Sequence, residues 1–370
     1  MDFLREAVEK LLLKGEWLDA IRYLDIPNPL WPWGVGAFVL LIALEIAVSL
    51  KYDKELYQWR DFASSVSMGA GAVFLATFTK IASIALFFVV YDIFNPVVET
   101  ISSNLTNPLI DISNRINIIG GYTPFGFQWY MFLVCQFCDD FNYYWYHRLS
   151  HEVRVLWAAH IVHHSSDNFN LGTAIRNGWV TLFYKPLFWL WLPAIGFHPV
   201  MVATCLAIQS FWQFQLHSKF IPYLGFLELF VNTHKQHQAH HSSNIEYLDT
   251  NHGGYLNIFD RIFGTHKVLD EENIQIEYGV LHPPNSYNPL VIVSHEYKNI
   301  WKDVRESNSL KEAFMYVFGP PGWSPDGSRK TTKQLRECLK REREKTVEHK
   351  KPSLAYPLKE SNQEVFQKHA

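Results

Sequence analysis

The chain has 370 residues, of which 48% are hydrophobic, 16% aromatic and 19% charged, with a formal net charge of -3 at pH 7. Soluble domains average about 25% charged residues, so this composition favours a membrane protein over a pair of soluble domains. The near-neutral charge argues against nucleic-acid binding. The cysteines, four in number, are too few and too scattered for a disulfide framework.

Residues 1–30 are predicted to form an amphipathic lead-in helix, and their charge argues against a cleavable signal peptide. The apolar run at 34–50 is close to the ~20 residues that cross a bilayer. Glu45 lies inside this run and should face the protein interior. A second apolar region, 63–94, contains Lys80 and is long for one span, so we expect a tilted or broken helix there.

Further apolar segments follow a polar loop at 100–124, which closes the first membrane region of residues 31–124. A third span is predicted at 125–146. The stretch 178–217 is interrupted at 193–196 and predicts a helical hairpin that crosses and returns, or a re-entrant pair. The sequence thus predicts four to five transmembrane or re-entrant helices.

The chain becomes polar from residue 268 onward. We expect a polar cap region at 268–328 and a charge-dense segment at 329–370, which is either a helix or a flexible tail. Residues 125–267 remain as a core that contains the clustered histidines.

Three histidine clusters dominate that core. The first has the form H-x-x-x-H, and the other two have the form H-x-x-H-H. Their members are His147 and His151; His160, His163 and His164; and His237, His240 and His241. Residues three and four apart share a helix face, so each cluster can direct several imidazoles toward a metal.

The number of imidazoles indicates the kind of metal site. Neutral imidazole binds iron, zinc, copper and nickel. The eight box histidines exceed the ligands of one four-coordinate zinc. They suit two octahedral metals that keep positions open for oxygen. Sequence alone therefore predicts an all-α integral membrane protein whose helices are capped by a histidine-rich di-metal helical domain. This domain is expected on the cytosolic side, with the loop at 100–124 on the opposite side of the membrane.

Four other residues stand near the boxes. Glu152 follows His151 directly and is predicted to ligate a metal or to hold a ligating imidazole. His217 ends an apolar stretch shortly before the third box and is predicted as a ninth metal ligand. His234 and His252 flank the third box as candidates for metal-supporting or substrate-contacting roles.

The position of the boxes at the ends of predicted spans places the metals at the mouth of the helices. A lipid could then enter laterally from the bilayer, while O2 and a reductant arrive from the aqueous side.

The order of the boxes between hydrophobic spans resembles the fatty acid hydroxylase/sterol desaturase superfamily of membrane oxygenases. That resemblance covers roughly residues 125–267. The stretch HRLSHEVRVLWAAHIVHHSSDNFNLGTAIR is similar to the branch of that superfamily that cleaves alkylglycerol ether lipids. QFQLHS, NTHKQHQAHH, DRIFGT at 260–265 and GPPGWSP at 319–325 follow the same order. At position 252 this chain has a histidine where the resemblance predicts an aromatic residue.

The resemblance implies a multi-pass enzyme of the endoplasmic reticulum membrane that uses O2, non-haem di-iron and tetrahydrobiopterin. It implies hydroxylation of the ether-linked carbon of alkylglycerols or lyso-ether lipids, which gives a hemiacetal that releases a fatty aldehyde and a glycerol derivative. The eight box histidines and Glu152 correspond in position to the metal-site residues of the family.

Two alternatives remain open at this stage. The first is a sterol, fatty acid or sphingolipid hydroxylase or desaturase of the same superfamily that takes electrons from a cytochrome b5-type carrier. The second is a histidine-rich metal transporter or a membrane cytochrome. The second fits less well, because axial haem ligands and transport sites lie deep in the membrane and in smaller groups.

Overall fold

The computed structural model describes residues 30–104 and 129–350. Within these ranges the chain is helical, and its only β-pairings are two isolated bridges, Val231 with Leu256 and Ser242 with Tyr278. The all-α prediction is therefore confirmed for the described residues. The predicted lead-in helix, most of the polar loop and the end of the tail lie outside them.

We number the helices of eight or more residues in chain order. The first four are α1 (Leu30–Tyr52), α2 (Trp59–Asn104), α3 (Trp129–Glu152) and α4 (Arg154–His164). They are followed by α5 (Pro199–Gln215), α6 (His234–His241), α7 (Pro289–Glu306), α8 (Leu310–Phe318) and α9 (Thr332–Lys350). Short α-helical turns occur at Leu171–Ala174, Thr181–Tyr184, Trp191–Ala194 and Ile258–Ile262, and short 3₁₀ turns at Lys185–Trp189 and Gly225–Leu229.

Among the described residues, one helical segment is long and apolar enough to cross a membrane by itself. It is Trp59–Phe94 within α2, and only 11% of its most apolar window is buried inside the protein. The helix is continuous across the region where a broken helix was one of the two expectations. The predicted total of four to five spans or re-entrant helices stays a prediction.

The segment 178–217, where a helical hairpin or a re-entrant pair was expected, does not consist of two helices of similar length. Its first half is a chain of three short turns, and only its second half, α5, is a regular helix. Pro186 and Pro193 explain the difference, because proline cannot donate a backbone hydrogen bond within a helix. The His198 side chain caps α5 by accepting a hydrogen bond from the backbone N–H of Val200 at 3.2 Å.

A buried apolar cluster joins α2, α3, the short turns and α5. Its members include Phe87, Cys135, Trp189, Met201 and Cys205. Apolar side chains on the outer faces of the first helices are exposed instead, for example Val39 in α1 and Phe74 in α2. An outward apolar surface of this kind fits contact with lipid.

Two buried carboxylates join the N-terminal helices to the segment after the second box. Glu45 of α1 accepts hydrogen bonds from the Tyr57 hydroxyl at 2.6 Å and from the Leu171 backbone at 2.7 Å. Asp61 of α2 forms a 2.5 Å ion pair with Arg176. The prediction that Glu45 faces the interior is confirmed, since the residue is 5% exposed.

The charge-dense segment after residue 329 begins as helix α9. Arg336 of α9 donates to the Leu248 carbonyl, and Arg343 pairs with Glu246. These contacts hold the helix against the 246–249 loop, next to the candidate metal centre.

Candidate metal centre

The helices deliver the three boxes to one place. The first box occupies the end of α3, and the second occupies the end of α4. Val153 alone separates these helices, and its extended backbone (φ -113°, ψ 117°) turns the chain back between them. The third box forms most of α6, a helix of eight residues with seven buried side chains.

The histidines form two groups, each with its ring nitrogens within 4.8 Å of one another. One group has five members: His147, His151, His160, His164 and His240. The other has four members: His163, His217, His237 and His241. The structure therefore brings together all nine histidines that the sequence predicted as ligands, and it divides them between two positions.

Helix geometry explains this division. In α4, His160 and His164 are four residues apart and join the five-histidine group, while His163 joins the other group. In α6, His237 and His241 join the four-histidine group, while His240 crosses to the first. Consecutive residues point about 100° apart around a helix. The adjacent pair in each H-x-x-H-H box must therefore face two different points, and each box contributes to both groups.

The distances between ring nitrogens fit metal ligands. Nε2 of His147 lies 3.0 Å from Nε2 of His160, and Nε2 of His217 lies 3.1 Å from those of His163 and His237. Two nitrogens about 2.1 Å from one ion are about 3.0 Å apart at an octahedral angle and about 3.4 Å apart at a tetrahedral one. The observed spacing fits neighbouring ligands of an octahedral ion.

The hydrogen bonds of the opposite ring nitrogen, Nδ1, show which nitrogens face inward as acceptors. Nδ1 of His163 donates to the Arg176 carbonyl at 3.1 Å, and Nδ1 of His217 donates to the Gln213 carbonyl at 2.9 Å. A carbonyl only accepts, so each neutral ring carries its proton on Nδ1 and leaves a lone pair on Nε2. These two lone pairs face each other at 3.1 Å, an arrangement that a cation between them would stabilise.

A short loop, residues 249–252, orients three rings of the five-histidine group. The Asp249 carboxylate accepts from Nδ1 of His151 at 3.2 Å. The carbonyl of Thr250 accepts from Nδ1 of His240 at 2.7 Å, and the carbonyl of His252 accepts from Nδ1 of His147 at 3.0 Å.

The backbone of this loop is unusual. Asp249 and Asn251 both have a positive φ, at 50° and 55°, a region that L-residues seldom adopt. The Asn251 side chain fixes the loop by donating to the carbonyls of Gln236 and Lys267 and accepting from the Lys267 backbone. The loop can thus direct its acceptors at three different rings.

Burial keeps the ligating rings in the neutral form that binds metals. It lowers the pKa of His163 to about 4 and that of His240 to about 3. Burial also lowers the pKa of His164, His237 and His241 well below the ordinary histidine value. Neutral imidazoles at physiological pH are ready to ligate without first losing a proton.

Glu152, which was predicted to ligate a metal or to hold a ligating imidazole, lies outside both groups in this structure. Its side chain is 42% exposed and pairs with Arg148 at 2.8 Å, one turn earlier on α3. The last turn of α3 points His151 inward and therefore turns the next residue toward the solvent. The carboxylate that contacts a ligating ring is Asp249. The sequence offered no signal for it, because 98 residues separate it from His151.

The two histidines that flank the third box differ in their surroundings. His234 begins α6 and belongs to neither group. The His252 ring is fully buried against the five-histidine group, with its centroid 5.0 Å from that of His151 and 5.5 Å from that of His147.

Aromatic rings complete the walls. Phe169 stacks on His217 at 5.6 Å between centroids, and Trp157 packs against His151 at 5.0 Å.

Comparison with known proteins shows which protein family this region resembles. Residues 132–265 match the model of the fatty acid hydroxylase family. That segment contains the three boxes and His217, so the matched domain is the one that forms both histidine groups. This part of the chain is therefore similar to the fatty acid hydroxylase domain.

Individual relatives show which enzymes the chain resembles. The chain is homologous to alkylglycerol monooxygenases. That of Homo sapiens is 35% identical over 226 residues, which are 58% of this chain and 48% of the relative. That of Danio rerio is 34% identical over 193 residues, or 50% of this chain and 41% of the relative. The ornithine lipid hydroxylase of Rhizobium tropici is 30% identical over 148 residues, or 38% of this chain and 42% of the relative.

The chain spans about half the length of the alkylglycerol monooxygenases it matches. No solved structure matches it significantly.

Proposed function

We propose that this protein is a multi-pass, membrane-embedded di-iron monooxygenase of the endoplasmic reticulum that hydroxylates the ether-linked carbon of alkylglycerols or lyso-ether lipids. The products are a fatty aldehyde and a glycerol derivative, with O2 as oxidant and tetrahydrobiopterin as reductant. The observation that carries the proposal is the pair of all-imidazole groups within a domain homologous to alkylglycerol monooxygenases.

The donor set fits iron. Five imidazoles leave one position of an octahedral ion open, and four imidazoles leave two. Neither group includes a thiolate or a carboxylate among the described residues, so each ion would keep its full positive charge. Bound iron would supply the activation of O2, which protein side chains cannot provide.

The residues of the chain would hold and shield this centre. The carbonyls of Arg176, Gln213 and Thr250 fix the Nδ1 protons of three ligands and so direct their Nε2 atoms inward. Burial of the rings, with Phe169 and Trp157 packed beside them, excludes water from the reacting carbon.

The apolar outer surface supports a lipid substrate. The exposed side chains of α1 and α2 fit a bilayer, and the first box lies at the C-terminal end of α3, which was predicted as a membrane span. A lipid that diffuses in the bilayer would then need only a lateral movement to reach the centre.

The test uses membranes that contain the full chain, supplied with an alkylglycerol, O2 and tetrahydrobiopterin, with fatty aldehyde as the readout. We expect aldehyde that depends on the pterin and disappears in His163→Ala. The control His282→Ala, an exposed histidine outside both groups, should retain activity.

A different result of this assay would favour another enzyme of the same superfamily. Absence of aldehyde, together with turnover of a sterol, fatty acid or sphingolipid by a cytochrome b5-type reductase system, would replace the proposal by the alternative within the superfamily. The similarity to an ornithine lipid hydroxylase supports a lipid hydroxylase outside the alkylglycerol branch as the second candidate.

A further inference from the structure

His252 is a tenth histidine at the metal centre, beside the nine of the two groups. The residue is 0% exposed, and its ring lies 5.0 to 5.7 Å from those of His151, His147 and His240, measured between centroids. It is not a member of the five-histidine group, whose nitrogens all lie within 4.8 Å of one another. The ring is thus adjacent to three ligands but outside their coordination sphere.

The backbone of His252 is fully engaged. Its N–H donates to Asp260 at 2.8 Å, and its carbonyl accepts from Nδ1 of His147 at 3.0 Å. The ring, by contrast, has no hydrogen-bond partner at either nitrogen within the described part of the chain. The Asp249 backbone approaches the ring without forming a hydrogen bond. A buried imidazole that is held in place and left unpaired by the described residues is available to a bound polar ligand.

The charges around the ring indicate the sign of that partner. Arg148 and Arg336 both lie near His252. Both are positive, so they favour an anion. A neutral imidazole also carries one N–H in either tautomer and can donate it.

The adjacent metal position offers a place for such an anion. An octahedral ion held by five imidazoles has one remaining position. We propose that a small anion bound at this sixth position accepts a hydrogen bond from the His252 imidazole. The inference rests on the proposed metal centre and on no particular lipid substrate.

Azide is a suitable probe for this site. Purified, iron-loaded full chain in detergent would be titrated with azide, with visible absorbance as the readout and iron per chain measured for every variant. We expect His252→Phe, which keeps an aromatic ring but cannot donate, to bind azide at least about tenfold more weakly than the wild type. His252→Gln, which can donate, should stay within a few-fold, and all variants should retain their iron.

The control is His282→Gln, which removes an exposed histidine remote from both groups in sequence and should leave azide affinity unchanged. His252→Leu replaces His252→Phe if the latter does not fold. Unchanged azide affinity in the apolar variant that folds would overturn the proposal and leave the ring with a packing role alone. Loss of one iron from these variants would also overturn it, because His252 would then be a ligand. Iron-loaded wild type that binds no azide would refute it while leaving lipid oxidation intact.

Discussion

Nε2 of His163 and Nε2 of His217 lie 3.1 Å apart, and the hydrogen bonds at Nδ1 of each ring assign the proton of the neutral imidazole to the opposite nitrogen. Each ring has committed its proton at Nδ1 to a backbone carbonyl, that of Arg176 or that of Gln213. Burial lowers the pKa of His163 to about 4, so the ring stays neutral at physiological pH. Two facing lone pairs in a buried site repel each other unless a cation lies between them.

Removal of the metal should therefore destabilise the fold. We expect the melting temperature of the purified protein to fall after iron is stripped with a chelator and to recover when iron is added back. Metal present at a thousand times its Kd would contribute about 4 kcal/mol. Magnesium, which prefers oxygen ligands, serves as the control and should not restore stability. Identical melting curves with and without iron would contradict this account of the His163–His217 pair.

Asp249 should support the affinity of the five-histidine ion, because its carboxylate fixes the Nδ1 proton of His151. Loss of a partner of this kind lowers metal affinity by about 10- to 100-fold. We expect Asp249→Ala to weaken the binding of one of two irons by that factor in a chelator competition. Asp249→Asn, whose amide oxygen can still accept, should lose less. Equal affinity in the wild type and the alanine variant would show that the contact is incidental.

Glu152 should be dispensable for metal binding. Its side chain is 42% exposed and pairs with Arg148, and an exposed pair of this kind contributes about 0–1 kcal/mol. We expect Glu152→Gln to retain the same iron content as the wild type and nearly the same melting temperature. Loss of iron in this variant would show that Glu152 is a metal ligand, as its position next to His151 suggested.

The buried Asp61–Arg176 ion pair should matter far more for stability. It joins α2 to the segment whose carbonyl orients His163, and both residues are buried. Removing one partner of a buried pair costs about 3–5 kcal/mol, because the other charge remains without compensation. We expect a large fall in the melting temperature of Asp61→Asn.

The matched control for that substitution is Asp53→Asn. Asp53 pairs with Lys219 at 3.3 Å in a more exposed position, so its loss should cost about 0–1 kcal/mol. Similar destabilisation by the two substitutions would refute the importance assigned to the buried pair.

The sequence predicted much of the site because the ligands are local. Box spacing on helices identifies the eight histidines, and His217 was inferred from its place at the end of an apolar stretch. The division into two groups could also be anticipated, since adjacent residues such as His163 and His164 point about 100° apart. By contrast, the acceptors that orient the rings could not be predicted, because Asp249 meets His151 only after the chain has folded.

Parts of the fold escaped sequence reasoning for similar reasons. The hairpin at 178–217 was read from its hydropathy, which does not distinguish a continuous helix from the succession of turns that Pro186 and Pro193 impose. Glu152 was assigned by its neighbour in the chain, whereas its direction depends on the helical rotation of the last turn of α3.

The iron content of purified protein tests the division into two histidine groups most directly. We predict two irons per chain in the wild type and no haem spectrum. His217→Ala, which removes one of four ligands from the smaller group, should leave about one iron. His234→Ala, a histidine three residues before His237 on the same helix but in neither group, should keep two. A single iron in the wild type, or two irons retained in His217→Ala, would contradict the proposed di-metal centre.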